Sequence, residues 1–481
     1  MQSIFWHDYE TFGADPQRDR PSQFAGIRTD LDLNVIEDPH TFYCKPSEDY
    51  LPAPEACLVT GITPQDALRE GLCEADFAKL IHEIFSVPQT CVAGYNSLRF
   101  DDEVSRNLFY RNFYDPYQRE WMNGNSRWDL IDIVRLVYVM RPDCLSWPKN
   151  DQGDVSFRLE LLTAANGISH ESAHDAMSDV YATIELAKLI KQREPKLFDW
   201  AFGFRAKSQV QQSLDINAMK PVLHVSSKFS VSKGCCSVVV PVAEHPVNKN
   251  AVICFDLRQS PDYLASMTVA QIRERLYQKT SELTDGIERP ALKSIHVNKC
   301  PVVLPASSVK DVSKEHREAW QLDLDLIKEH LAYLRAHPEL VVKIKEVFSD
   351  TGGREDIEDP DLMIYTGGFF GPSDKNEMQR LRNTPADLLA EEEFVFQDSR
   401  LPEMLMRYKG RNYPYALNEL EQEQWAEYCY RRVVQGESGF LGIEEFGKRL
   451  MILQSENEAN PRNLSILDDL KCYAESIIPY L

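Results

Sequence analysis

Ile4-Phe5-Trp6-His7-Asp8-Tyr9-Glu10-Thr11-Phe12-Gly13 reads as a β-strand, rich in β-branched and aromatic residues and ended by a glycine. Two carboxylates, Asp8 and Glu10, stand in it at i and i+2. In a strand these positions share a face, roughly 7 Å apart at Cα. Two anions side by side in an otherwise apolar strand are costly unless a cation lies between them. A divalent metal would supply that cation. An edge strand with one solvated face would need none. The choice turns on whether distant parts of the chain bring further ligands.

Working outward, residues 24–29, 31–35 and 40–44 read as strands, with the turn signal Glu37-Asp38-Pro39 before the last. Helices are expected over 64–69 and 74–85. A short buried strand over 90–93 runs into Gly94-Tyr95-Asn96-Ser97-Leu98-Arg99-Phe100-Asp101-Asp102-Glu103. Helical stretches follow over 104–113, from Arg127-Trp128-Asp129 to Met140, over 157–166 and over 175–191. The last is amphipathic, with Ala176, Val180, Ile184, Ala187 and Ile190 at helical spacing, and Glu194-Pro195 stops it. Strands first and helices after give an α/β domain over residues 1–195.

The texture then changes. Short strands over 222–225, 237–242, 251–257 and 292–304, with a capping box at Thr268-Val269-Ala270-Gln271, indicate a small β-barrel or sandwich carrying helices over 196–349. Residues 350–360 are acidic, hold two glycines and read as a linker. Helical patterning dominates from residue 373 to the end, giving a third domain over 350–481.

At 481 residues, 43% hydrophobic and 27% charged, the chain is long enough for several domains and has the composition of a soluble globular protein. No apolar run reaches the ~18 residues of a membrane span, and the early first strand leaves no room for a signal peptide. Eleven scattered cysteines with no C-x-x-C pair suit reduced thiols in a cytoplasm. The net charge of −22 argues against nucleic-acid binding unless a basic groove is hidden among acidic faces.

Four carboxylates stand in arranged contexts. Asp8 and Glu10 share the strand face, Asp101 follows Phe100 at the mouth of a helix, and Asp179 lies beside Val180 on the amphipathic helix. His174 precedes Asp179 by five residues. Ser172 with Asp175 reads as a helix start that puts His174 in the first turn. A two-metal phosphodiesterase needs such a set: hard oxygens for Mg²⁺ or Mn²⁺ ions about 4 Å apart, and a histidine as general base.

The pattern Asp8-x-Glu10, Asn96…Phe100-Asp101 and His174-x4-Asp179 resembles the three motifs of the DEDDh 3′→5′ exonucleases, which have an RNase H-like fold. Four longer stretches bring the resemblance to the bacterial exodeoxyribonuclease I family. They are His7 to Gly13, Gly94 to Glu103, Phe109-Tyr110-Arg111-Asn112-Phe113-Tyr114-Asp115-Pro116 and Ala173-His174-Asp175-Ala176-Met177. His296-Val297-Asn298-Lys299-Cys300-Pro301 and Tyr365-x-Gly367-Gly368-Phe369-Phe370 extend it over the later domains. The resemblance implies an exonuclease domain, an SH3-like domain and a C-terminal helical domain. It also implies a monomer that degrades single-stranded DNA to 5′-mononucleotides in DNA repair. Asp8, Glu10, Asp101 and Asp179 would ligate two Mg²⁺ ions, with Mn²⁺ as a substitute, and His174 would be the base. Four residues separate Asn96 from Asp101 where many superfamily members have three, so Asp102 competes with Asp101, which keeps the place directly after Phe100.

Tyr9, Thr11, Arg99, Arg158, Phe369 and Phe370 are expected at the substrate. The aromatic and basic runs 109–114 and 407–413 are further candidate DNA surfaces. Arg141 and Trp200 fall where, by resemblance, the acidic tail of single-stranded DNA-binding protein docks. Three other readings compete. His170-Glu171-Ser172-Ala173-His174 spells the zinc-protease H-E-x-x-H, but a helix break is expected inside it, and His170 is read as a solvated loop residue. An RNA-directed, RNase T-like exonuclease is a second, and a non-catalytic DNA-end or partner-binding scaffold a third.

Overall fold

The computed structural model describes residues 2–170, 175–278, 289–349 and 357–478. The chain opens with strands β1 (Ser3–Thr11), β2 (Pro21–Thr29) and β3 (His40–Tyr43), then helices α1 (Pro54–Thr60), α2 (Pro64–Glu70) and α3 (Glu74–Phe85). Strand β4 (Thr90–Gly94), helix α4 (Asp101–Arg111), strand β5 (Ser126–Asp129) and helices α5 (Leu130–Met140), α6 (Leu159–Ala165) and α7 (Ala176–Arg193) follow. The chain groups into two compact units. One holds Met1–Ser126, His170–Ile184 and Asp356–Leu481; the other holds Arg127–Ser169 and Glu185–Glu355.

In the first unit the sheet runs β3-β2-β1-β4. β1 pairs antiparallel with β2 and parallel with β4. β1 is central in the sheet and covered on both faces, as the complete burial of the successive residues Phe5 and Trp6 shows. Phe5, Tyr9, Phe24 and Val92 pack against Phe77, Ile81 and Phe85 of α3 and Leu108 and Phe109 of α4. The C-terminal helices α8 (Pro372–Asn383), α9 (Arg400–Asn412), α10 (Glu419–Cys429), α11 (Ile443–Glu456) and α12 (Pro461–Ile477) belong to this same unit. Phe446, Leu450, Leu467 and Leu470 share a core with Phe12, Leu51 and Cys57, and Met404 and Tyr408 share another with Tyr110 and Phe113.

The second unit holds a five-stranded antiparallel sheet of β6 (Val222–Val225), β7 (Cys236–Glu244), β8 (Ala251–Asp256), β9 (Leu292–His296) and β10 (Val302–Pro305). Its order is β10-β6-β7-β8-β9. Among the described residues no helix is long and apolar enough to cross a membrane.

Several local expectations are corrected. Residues 31–35 form a turn, because the Asp30 carboxylate accepts from the backbone of Asp32 and Asn34, leaving only Val35 bridged to Thr29. Residues 127–129 are strand, and α5 starts only after Asp129, whose carboxylate accepts from Ile131 N (3.2 Å). Pro195 stops one helix and opens the next, Pro195–Gly203, since proline is favoured in a first turn. The stretch 292–304 divides into β9 and β10.

The two aromatic and basic runs are interior. Arg111 and Asn112 both bond Glu74, at 2.9 and 3.0 Å, while Phe109, Tyr110 and Phe113 are core. In the second run, Arg407 and Arg411 lie in a buried ionic chain. Arg411 pairs with Asp49 (2.9 Å) and Asp361 (2.6 Å), Arg407 with Asp361 (3.1 Å) and Asp359 (2.7 Å), and Arg432 with Asp359 (2.6 Å). These cations answer buried carboxylates, so neither run is the exposed DNA surface its composition suggested.

Candidate active site

The site is built on the middle of β1. Asp8 and Glu10 sit opposite Ala25 and Gln23 of β2, and the register shifts just after Glu10. β4 stays paired with β1 only as far as Trp6↔Ala93. There Gly94 passes so close to β1 that a Cβ would lie 2.8 Å from the His7 carbonyl. Asn96 takes a left-handed conformation (φ +64°), which asparagine tolerates better than most residues, and Arg99 N donates to its carbonyl (3.1 Å). That turn delivers Asp101 as the first residue of α4. Tyr9 N donates to Asp101 Oδ1 (3.1 Å), tying the new carboxylate to the strand between Asp8 and Glu10. The positive end of α4 favours a negative charge there. Asp102 points elsewhere, into a buried pair with Arg119 (2.6 Å).

Helix α7 brings the fourth carboxylate. Its cap is Asp175, which accepts from Ser178 N (3.2 Å), and the helix starts at Ala176; the expected cap Ser172 lies outside the described residues. Ala176 N donates to Gln23 Oε1 (3.3 Å), docking the first turn on the residue opposite Glu10. Asp179 follows in that turn. One oxygen each of Asp8, Glu10 and Asp179 lie within 4.8 Å of one another. Burial, and then the charges of Asp101, Glu10 and Asp179, hold the Asp8 carboxyl well above its ordinary range. Burial, and then Asp179 and Asp101, push Glu10 up to about 8. Four hard-oxygen donors crowded together, two of them raised by burial and by their neighbours' charges, fit a divalent cation of the Mg²⁺ type.

His170 is not the solvated residue expected. Its side chain is only 5% exposed, and its Nε2 bonds Asp179 Oδ1. It lies outside any helix, and α7 begins at Ala176, so the described residues do not form the continuous helix that a zinc-protease H-E-x-x-H needs. His174 lies outside the described residues.

The remaining expected contacts divide. The Tyr9 ring is core, its hydroxyl 3.0 Å from Ser105 Oγ, so its side chain does not face the carboxylates. Thr11 lines a cavity of about 790 Å³ that also touches Glu10, Leu51, Phe100 and Phe440. Arg99 is exposed. Arg158, in the second unit, is exposed and paired with Glu160. Phe369 is 83% exposed beside Tyr117 (centroids 6.0 Å apart), whereas Phe370 is packed between Tyr110 and Arg400. Arg141 is exposed and paired with Glu194 (3.3 Å), and Trp200 stacks on Phe204. Sequence reading missed Gln23, whose only signal is its place opposite Glu10 in an antiparallel pair. It also misread His170, whose environment depends on α7 docking.

Three family models match. One described as exonuclease covers residues 5–187, the exonuclease I SH3-like domain covers 205–350, and the exonuclease I C-terminal domain covers 358–477. The chain is 43% identical to exodeoxyribonuclease I of Escherichia coli K12 over 99% of both chains, and 43% identical to that of Haemophilus influenzae over 99% of both. The chain belongs to the exodeoxyribonuclease I family. Exonuclease I of Methylocaldum szegediense superposes with a TM-score of 0.93 at 47% identity, over 99% of this chain and 100% of that one. The E. coli enzyme in complex with a dA16 oligonucleotide gives 0.94 at 42%, over the same shares. A zinc-bound E. coli complex with single-stranded DNA gives 0.93, and an SSB/exonuclease I structure with an inhibitor gives 0.90. Each is 41% identical, over 99% of this chain and 100% of that one.

Proposed function

We propose that this exonuclease removes 5′-mononucleotides from the 3′ end of single-stranded DNA. The observation that carries the reading is the convergence of Asp8, Glu10 and Asp179 within 4.8 Å, with Asp101 held beside them by Tyr9 N. These four carboxylates would hold two Mg²⁺ ions. Such ions, when bound, supply Lewis acidity for the attacking water and charge neutralisation at the phosphodiester. His174 takes the proton of that water, and the 3′-oxygen of the penultimate nucleotide leaves in line. Thr11, at the cavity beside Glu10, borders the terminal nucleotide. DNA repair is the cellular setting of this reading, and its modules are 1–195, 196–349 and 350–481.

The oligonucleotide complexes of the E. coli relative support a single-stranded DNA substrate. The SSB/exonuclease I structure supports an SSB partner, for which Arg141 and Trp200 are the candidate contacts. Arg141 lines a cavity of about 540 Å³ whose other charged residues are Arg193, Asp143, Glu194 and Asp311. The test is hydrolysis of 5′- and 3′-labelled single strands, duplex DNA and a matched RNA strand. Shortening of 5′-labelled single-stranded DNA from its 3′ end, in preference to duplex and RNA, supports the reading. Preference for RNA points to an RNase T-like enzyme, and no release on any strand to a scaffold.

Phe369→Ala should weaken single-stranded DNA binding about tenfold, since stacking of one base contributes roughly 1–3 kcal/mol. Its melting temperature should not change, because the ring is exposed. Fluorescence anisotropy and a thermal melt check both.

A raised Glu10 makes a second prediction. A carboxyl at about 8 when folded and near 4.5 when unfolded favours the folded state at low pH. Without metal the protein therefore loses stability as pH rises through that window. Mg²⁺ should raise the melting temperature more above about pH 8 than near about pH 6. Thermal melts with Mg²⁺ and with EDTA measure it.

A further inference from the structure

We infer that His170 is a positioning residue of the metal centre, holding Asp179 in place against the repulsion of its neighbours; this rests on the reading of Asp179 as a ligand. The four carboxylates of the site repel one another, since oxygens of Asp8, Glu10 and Asp179 lie within 4.8 Å and Asp101 is held beside them by Tyr9 N. Asp179 has room to turn outward, since it stands on a helix rather than on the central strand and its side chain is 18% exposed. Nothing in the repulsion itself keeps its carboxylate turned inward. His170 does so: its side chain is 5% exposed, and its Nε2 lies in hydrogen-bond contact with Asp179 Oδ1.

The residue type suits the task. A lysine or arginine at this point would place a full positive charge among the carboxylates and compete with a cation. An imidazole whose Nε2 carries a proton donates one hydrogen bond there and leaves the other carboxylate lone pairs available. The hydrogen-bond contact between its Nε2 and Asp179 is what assigns His170 the positioning role. The two histidines of His170-Glu171-Ser172-Ala173-His174 thus take different roles: His170 orients a ligand, and His174 keeps the base role proposed above.

The test uses the full-length protein and two variants. His170→Ala removes the donor. His170→Gln returns an N–H at nearly the reach of the imidazole Nε2. Mn²⁺ affinity is measured by calorimetry without DNA, and kcat and KM are measured on a single-stranded oligonucleotide. His170→Ala should bind Mn²⁺ about 10–100-fold more weakly and lose a comparable factor in kcat, with KM for DNA unchanged. His170→Gln should recover most of both losses. Wild-type Mn²⁺ affinity in His170→Ala overturns the inference, as does a folded His170→Gln no better than His170→Ala. Asp179→Asn is the control. If it keeps wild-type Mn²⁺ affinity, the metal-site reading has failed. If it loses affinity while His170→Ala does not, only the role of His170 has failed.

Discussion

Asp101→Asn should lower the nuclease turnover by about 10³-fold or more while leaving single-stranded DNA affinity near wild type. The substitution is nearly isosteric, and the asparagine Oδ1 can still accept from Tyr9 N, so the turn between β4 and α4 should keep its shape. What is lost is one negative charge and its oxygen donor in a set of four. The loss should have an unusual companion. Asp101 is the largest charge acting on Asp8 and also raises Glu10, so removing it relieves repulsion. The metal-free variant should melt at or above the wild-type temperature. A residue that merely held the fold would lower activity and stability together. Turnover assays, anisotropy and EDTA-treated melts separate the two cases, and near-wild-type turnover would remove Asp101 from the ligand set.

Asp361→Ala should be the most destabilising single change, at about 3–5 kcal/mol. Asp361 is buried and accepts from Arg411 and Arg407, which also answer Asp49 and Asp359. Deleting it leaves two guanidiniums buried with too little negative charge. The effect has a pH signature. The arginines hold the Asp361 and Asp49 carboxyls well below their ordinary range, despite burial that acts the other way. A carboxyl lower in the folded than in the unfolded state stabilises above its unfolded value near 3.8 and loses that contribution as pH falls. Wild-type stability should therefore drop on acidification below about pH 4, and the variant should drop less. Urea unfolding across that range measures both. A loss under about 1 kcal/mol would mean that the ionic chain contributes little net stability.

The sequence carried the meeting of the carboxylates better than it carried the surfaces. Asp8, Glu10, Asp101 and Asp179 stood out because carboxylates are conspicuous in apolar strands and helices, and the structure brings them to one place. The α/β character, the separate antiparallel sheet and the helical C-terminal part were also readable from period and turn chemistry. What failed were inferences from composition alone. Arg407, Arg411 and Arg111 are arginines in aromatic runs, as a DNA groove would have, but each answers a buried carboxylate far away in sequence: Asp361, Asp49 or Glu74. Nothing local distinguishes such a buried arginine from a solvated one. Phe369 and Phe370 are adjacent and identical, yet one is exposed and the other packed on Tyr110. His170 looked like a loop residue because its partner is supplied by a helix whose docking depends on Gln23.

Calorimetric titration of Mn²⁺ into the DNA-free protein tests the central claim most directly, with wild type, Asp8→Asn and Asp179→Asn side by side. Wild type should take up about two ions per chain, and each variant should bind at least about tenfold more weakly or lose an ion. Wild-type protein that takes up no Mn²⁺, or variants that take it up as wild type does, would contradict a metal centre built on these carboxylates.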